Sequence, residues 1–168
     1  LAPEISKIER TLIFTRLIMQ KPAELGLGHL SLAQSYALAE NLADLMDLAY
    51  NENLDFSRLD NIVPAEYAAH WQESLKLLSI ITEFWPHILD ERGVVDASFR
   101  RNQLLKAELA VWRHSQTSQK IVVAGTTAAY PILKELVKTV ADLPNGEVWL
   151  YGLDNYLEDS AWEQIDEN

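Results

Sequence analysis

From Ile5 to Trp112 the apolar residues recur at spacings of three and four, and at Lys120 that rhythm stops. Ile121-Val122-Val123-Ala124 is a short β-branched run of the kind found in strands buried on both faces, and it ends at Gly125. A helical pattern follows from about Ala129 to Asp142, with Pro131 placed in its first turn. The turn Pro144-Asn145-Gly146 leads to a second strand, Glu147-Val148-Trp149-Leu150-Tyr151, closed by Gly152. Strand, helix and strand within about 30 residues predict a βαβ unit with parallel strands and a right-handed crossover. Parallel strands normally sit inside larger covered sheets, so a lone pair predicts a piece of a longer protein, as does the start Leu1-Ala2-Pro3.

Everything before that switch reads as helix. Pro3 in a first turn, with Ile5, Ile8, Leu12, Phe14, Leu17 and Ile18 as a stripe, predicts a helix from Pro3 to Gln20, ended by Pro22. Ser31 is the N-cap of a second helix, with Leu38, Leu42, Leu45, Met46 and Ala49 on its apolar face and Asn51 to Asn53 at its close. A helical turn over Asp55 to Asn61 precedes a long helix opened by Pro64, with Trp71, Leu75, Leu78, Ile81 and Trp85 on one side. Pro86 lacks an amide donor, so it should kink that helix or end it near Trp85, and Gly93 terminates what continues. Asp96 caps a further helix in which Leu105, Leu109 and Trp112 share a face. The expected architecture is mainly α: a helical bundle over 1–118 followed by a βαβ portion over 119–168.

Composition narrows the function classes. With no cysteine among 168 residues, disulfides, thiolate metal sites and cysteine nucleophiles are excluded. No apolar run approaches the about 20 residues of a membrane span. A net charge of −11 argues against a domain whose main task is to grip phosphate backbones. One segment departs from this: Arg100, Arg101, Lys106 and Arg113 fall close together, and they are the candidates for weak, salt-sensitive DNA contact. A solvated helix face is the commoner meaning of such a row.

Ligands bind at the carboxyl ends of parallel strands, which directs attention to Gly125-Thr126-Thr127-Ala128. A phosphate-binding loop needs further glycines and a Lys followed by Ser or Thr, and a magnesium site needs a strand-end carboxylate. Ala124 and Gly125 stand there instead, so no intact nucleotide site is expected. Asp154, just past the second strand, reads as a turn or cap residue. His87 and Glu91 share a helical face but make only two ligands, and Glu40, Asp44 and Asp47 line a face that is more often solvated than metal-binding. No Gly-x-Ser-x-Gly elbow occurs. Trp71, Trp85, Trp112 and Trp149 read as core rather than as base-stacking platforms.

The ordered succession Ile62-Val63-Pro64-Ala65-Glu66-Tyr67-Ala68-Ala69-His70-Trp71, then Ile80-Ile81-Thr82-Glu83-Phe84-Trp85-Pro86 and Glu91-Arg92-Gly93, resembles the AddB family. These are the helicase-like subunits of bacterial AddAB double-strand break repair helicase-nucleases, here in their alphaproteobacterial form. Arg100-Arg101-Asn102, Ile121 to Thr127 and Gly152-Leu153-Asp154 extend the resemblance over most of the chain. It implies an internal fragment of the superfamily 1 helicase-like half, in a cytoplasmic complex with an AddA-type motor subunit and with DNA. Active relatives of that fold end the first strand in magnesium-binding acids, so Ala124-Gly125-Thr126-Thr127 implies a degenerate motor. ATP with magnesium and an iron-sulfur cluster belong to the parent complex, an ATP-dependent helicase and exonuclease, and none of their binding residues maps onto this chain. A free-standing regulatory or protein-interaction domain, taking a small nucleotide or a partner at the Gly125–Thr127 loop, is the alternative.

Overall fold

The computed structural model of the chain describes residues 1–54, 68–114, 119–152 and 156. They are mainly helical with a small two-stranded parallel sheet, and they form two compact units, Leu1–Glu108 and Leu109–Asn168. The turn expected over Asp55 to Asn61, the helix start at Pro64, the side chain of Trp71 and Asp154 lie outside the described residues.

In the first unit, α1 spans Lys7–Gln20, and the Ser6 hydroxyl caps it by accepting from the Glu9 amide at 3.1 Å. It begins later than Pro3 because the preceding residues are extended: the Ile5 amide donates to the Val95 carbonyl at 2.9 Å and the Val95 amide to the Pro3 carbonyl at 3.0 Å. The inward face is Arg10, Thr11, Phe14, Thr15 and Ile18. Ile8 and Leu12, expected in the apolar stripe, are instead 72% and 55% exposed. Once the chain is pinned at Ile5, the helix phase carries Arg10 inward and those two residues outward.

Helix α2, Leu32–Asn51, starts on a capping box in which the Gln34 amide donates to the Ser31 hydroxyl and the Ser31 amide to the Gln34 side chain. That arrangement satisfies two otherwise orphaned amides and contributes about 1 kcal/mol. Its inward stripe is Ser35, Ala39, Leu42, Ala43, Met46 and Ala49, a slight rotation that leaves Leu45 exposed and Leu38 half-buried.

Helix α3, Ala68–Ser79, runs through a π-helical turn, Ile80–Phe84, into α4, Trp85–Arg92. The wide turn is how the chain tolerates Pro86: the Trp85 amide reaches back to the Ile80 carbonyl, relieving the clash that the proline ring makes in a regular turn. Gly93, with φ of 63°, then closes α4, and the Val94 amide donates to the Leu89 carbonyl at 3.1 Å. Phe14 and Trp85 meet edge to face, ring centroids 4.9 Å apart, at the centre of a core that includes Ile18, Met46 and Ile80. Such an aromatic pair contributes about 1 kcal/mol beyond its burial. Helix α5 spans Ala97–His114.

In the second unit, β1 (Ile121–Ala124) and β2 (Gly146–Trp149) pair in parallel, Ile121 opposite Gly146 and Ala124 opposite Trp149. Helix α6, Pro131–Ala141, connects them and packs against both, with Pro131 in its first turn as the sequence predicts. The strands are not buried on both faces. Ile121 and Val123 are half-buried whereas Val122, Ala124 and Trp149 are exposed, because α6 is the only helix packed extensively on the sheet among the described residues. The second strand also ends at Trp149 rather than Tyr151.

Candidate functional site

The end of β1 is the first place to test. Gly125 turns the chain out of the strand with φ of 72°, and Ala128 also takes a left-handed conformation, with φ of 50°. A non-glycine residue held there costs about 1 kcal/mol or more. The Thr126 hydroxyl steadies the turn by accepting from the Ala128 amide at 3.0 Å, and Tyr130, the N-cap residue of α6, makes no side-chain cap. Between Ala124 and Tyr130 there is no carboxylate to hold magnesium and no lysine to meet a phosphate. These residues do not fit a nucleotide with its metal, and a chain without cysteine offers an iron-sulfur cluster none of its usual ligands. A shallow hollow of about 330 Å³ lies at the other end of the sheet, beside Lys120, Pro144 and Glu147, away from the carboxyl ends where ligands bind.

The basic row of α5 is engaged within the protein. Arg100 donates through Nε to the Ala2 carbonyl at 3.2 Å and lies 3.9 Å from Glu4. Arg101 bonds the Asn51 side chain, and Lys106 reaches the Asn53 side chain at 3.3 Å. In the second unit Arg113 donates to Thr139 at 2.9 Å and pairs with Glu135 at 2.8 Å. Arg101, Lys106 and Arg113 remain exposed, whereas Arg100 is half-buried. Their charge is thus accessible, but each side chain has a structural task beside any contact with a phosphate.

The strongest concentration of charge is buried and was not anticipated from sequence. Arg10 donates to both oxygens of Asp47, at 2.9 and 2.6 Å, and to Asp96 at 3.1 Å. Asp96 also accepts from the Trp85 indole at 2.8 Å and the Tyr50 hydroxyl at 3.2 Å, and Ser98 donates to Asp47 at 2.7 Å. Trp85 is therefore core, as expected, but with a polar tip that has a buried partner. Asp96 precedes α5 as predicted, yet its carboxylate is turned inward to these side chains. Burial pushes the Asp47 carboxyl up, but the hydrogen bonds from Arg10 and Ser98 and the charges of Arg10 and Lys7 outweigh it and hold it below the ordinary range. Burial, then the neighbouring Asp96 charge, keeps the Tyr50 phenol well above its ordinary value. With Asp96 fully enclosed and its oxygens engaged by donors from three elements, this cluster is a fastening rather than a reaction centre. The sequence signal for it is an arginine four residues before Phe14 on an inward helix face, and an aspartate directly after Val94-Val95.

The acidic face of α2 resolves in the same terms. Asp47 belongs to the buried cluster, Asp44 pairs loosely with Lys7 at 3.6 Å, and Glu40 is exposed. His87 and Glu91 are both exposed, and the described residues contain no group of three side chains able to hold a metal ion. No helix among them is long and apolar enough to cross a membrane.

No protein-family model, no curated protein and no solved structure matches this chain.

Proposed function

We propose that the chain is part of a DNA double-strand break repair protein: the non-motor, helicase-like subunit of an ATP-dependent helicase and exonuclease complex. In this reading it acts in DNA binding and scaffolding beside an AddA-type motor. The observation that carries the reading is the end of β1, where Ala124 and Gly125 stand in place of a metal-binding carboxylate at the mouth of a parallel β-α-β unit. A strand–helix–strand unit stripped of its nucleotide ligands suits a subunit that keeps a motor's scaffold without its chemistry. The ordered resemblance to the AddB family supplies the DNA context, and Arg100, Arg101, Lys106 and Arg113 are the side chains assigned to the phosphate backbone.

The test is binding of a labelled single-stranded oligonucleotide at low and moderate salt. Arg101→Gln/Lys106→Gln is the principal variant, because both side chains are exposed and bond only polar side chains at the surface. Salt-sensitive binding that this pair weakens supports the reading. Binding that is absent, or indifferent to the pair and to Arg100→Ala/Arg101→Ala/Arg113→Ala, removes the basic row from the DNA path. A melting shift with ATP and magnesium would favour a nucleotide-binding regulatory domain instead.

A further inference from the structure

Pro144-Asn145-Gly146 carries the chain from α6 into β2, and Asn145 is the one asparagine of the sequence that a glycine follows. The pairing matters chemically, because an asparagine side-chain carbonyl lies within reach of the next residue's backbone nitrogen. A β-carbon on that next residue crowds the approach, and glycine has none. Asn145 is exposed and lines, with Lys120, Pro144, Gly146 and Glu147, the hollow at this end of the sheet, so water reaches it. The fold cannot trade the glycine for a protecting side chain, since a Cβ there would collide with the Val140 carbonyl.

The same two residues are held by the backbone around them. The Gly146 amide donates to the Leu143 carbonyl at 3.0 Å, and the Ile121 amide donates to the Asn145 carbonyl at 3.1 Å. The first bond occupies the proton that must leave before the nitrogen can attack. The second pins the peptide unit that must turn, at the end of the sheet where Ile121 stands opposite Gly146. Reaction therefore requires this end to open, and its rate in the folded chain is that of the opened chain scaled by the fraction open.

We infer that Asn145 is a site of spontaneous covalent modification, converting to aspartate and isoaspartate through a ring closed by the Gly146 nitrogen, at a rate set by the opening of the α6–β2 turn and the Ile121 end of the sheet. The Gly146 nitrogen gives its proton to water and bonds to Asn145 Cγ. The Cγ–Nδ2 bond breaks, and the amide nitrogen takes up a proton and leaves as ammonia. Water then adds to either carbonyl of the five-membered succinimide and opens it, so the net change is amide plus water to acid plus ammonia. In the isoaspartate product the main chain is one carbon longer, and the carbonyl that accepted from Ile121 has become a free carboxylate. The inference stands on this turn alone and does not rest on the DNA reading.

The test incubates the full chain in warm, mildly alkaline buffer, folded or unfolded in guanidinium, and follows each asparagine by peptide mapping with mass spectrometry. Aspartyl and isoaspartyl forms of the Asn145 peptide should accumulate at least about tenfold faster in the unfolded chain. Asn51 and Asn53, followed by Glu52 and Leu54, should convert far more slowly in the same unfolded sample. Val140→Ala, which thins the buried packing of α6 without touching the reacting groups, should speed conversion several-fold in the folded chain. Should circular dichroism show that variant unfolded, Ile132→Val, a smaller loss on the same helix, replaces it. Conversion at Asn145 no faster than at Asn51 and Asn53 in the unfolded chain would overturn the site. Equal rates in folded and unfolded chain, or an unchanged rate in a folded variant with a lowered melting temperature, would overturn its control by the sheet.

Discussion

Arg10 and Asp96 stand 86 positions apart in the chain and meet at 3.1 Å, both side chains shut away from water. The contact joins α1 to the segment that opens α5, while Asp47 adds α2 to the same guanidinium and Trp85 adds α4 to the same carboxylate. An ion pair so placed adds little over a well-packed apolar pair, but losing one half strands a charge in the interior. Asp96→Ala should therefore lower stability by about 3–5 kcal/mol in a urea titration. Arg10→Met, which leaves two carboxylates facing each other, should be at least as damaging. A loss below about 1 kcal/mol for either would mean that water reaches this cluster.

The same cluster sets a pH window. Because the Asp47 carboxyl is held below its ordinary value in the folded chain, its contribution is present above about pH 4 and is lost as the pH falls through the depressed value. Tyr50 works in the opposite sense: with its phenol raised, its contribution is present below about pH 10 and declines above that, where the unfolded chain gives up the proton and the folded chain keeps it. Melting temperatures across pH should fall at both ends. Tyr50→Phe should flatten the alkaline limb, and Asp47→Asn the acid one, each at a cost in stability at neutral pH.

Gly146 is fixed by contact rather than by backbone angle. A Cβ at that position would sit 1.8 Å from the Val140 carbonyl oxygen and 3.1 Å from the Leu143 side chain. Gly146→Ala should destabilise the sheet unit by about 3 kcal/mol or more, because the obstacle is backbone that cannot rotate aside. Amide exchange in β2 and in the last turn of α6 is the direct readout, and unchanged protection there would contradict the close approach.

Ser31→Ala removes one hydroxyl from the start of α2 and with it the half of the capping box that accepts from the Gln34 amide, together with the bond that hydroxyl donates to the Gln34 side chain. The expected loss is about 1 kcal/mol in thermal or urea unfolding, and Ser31→Asp should recover most of it.

What could be read from the residues follows from where the deciding forces act. Ser31 with Gln34, the stop at Gly93 and the β-α-β succession from Ile121 to Trp149 are set by neighbours a few positions apart, and the local pattern carries them. Arg10 is the contrary case. Its burial depends on Ile5 pairing with Val95, which shifts the start and phase of α1, and on two carboxylates distant in sequence. Trp149 fails for another reason: its strand has the composition of a buried one, but what would cover it is not among the described elements. For the site, the missing carboxylate at Ala124 and Gly125 is visible in the bare sequence, whereas the internal partners of Arg100, Arg101, Lys106 and Arg113 emerge only when distant segments come together.

The wide turn at Ile80–Phe84 makes α3 and α4 two rulers laid end to end with a gap between them. Each keeps its own count of 3.6, but the extra residue resets the zero mark before Trp85, and that offset accompanies the indole to Asp96. Deleting one residue from the turn would splice the rulers into one and swing Trp85 about 100° around the axis, away from its carboxylate. Length, and not only identity, is therefore under constraint in this stretch: a conservative exchange of Thr82 or Glu83, both on the outer surface, leaves the count intact, while a one-codon loss does not.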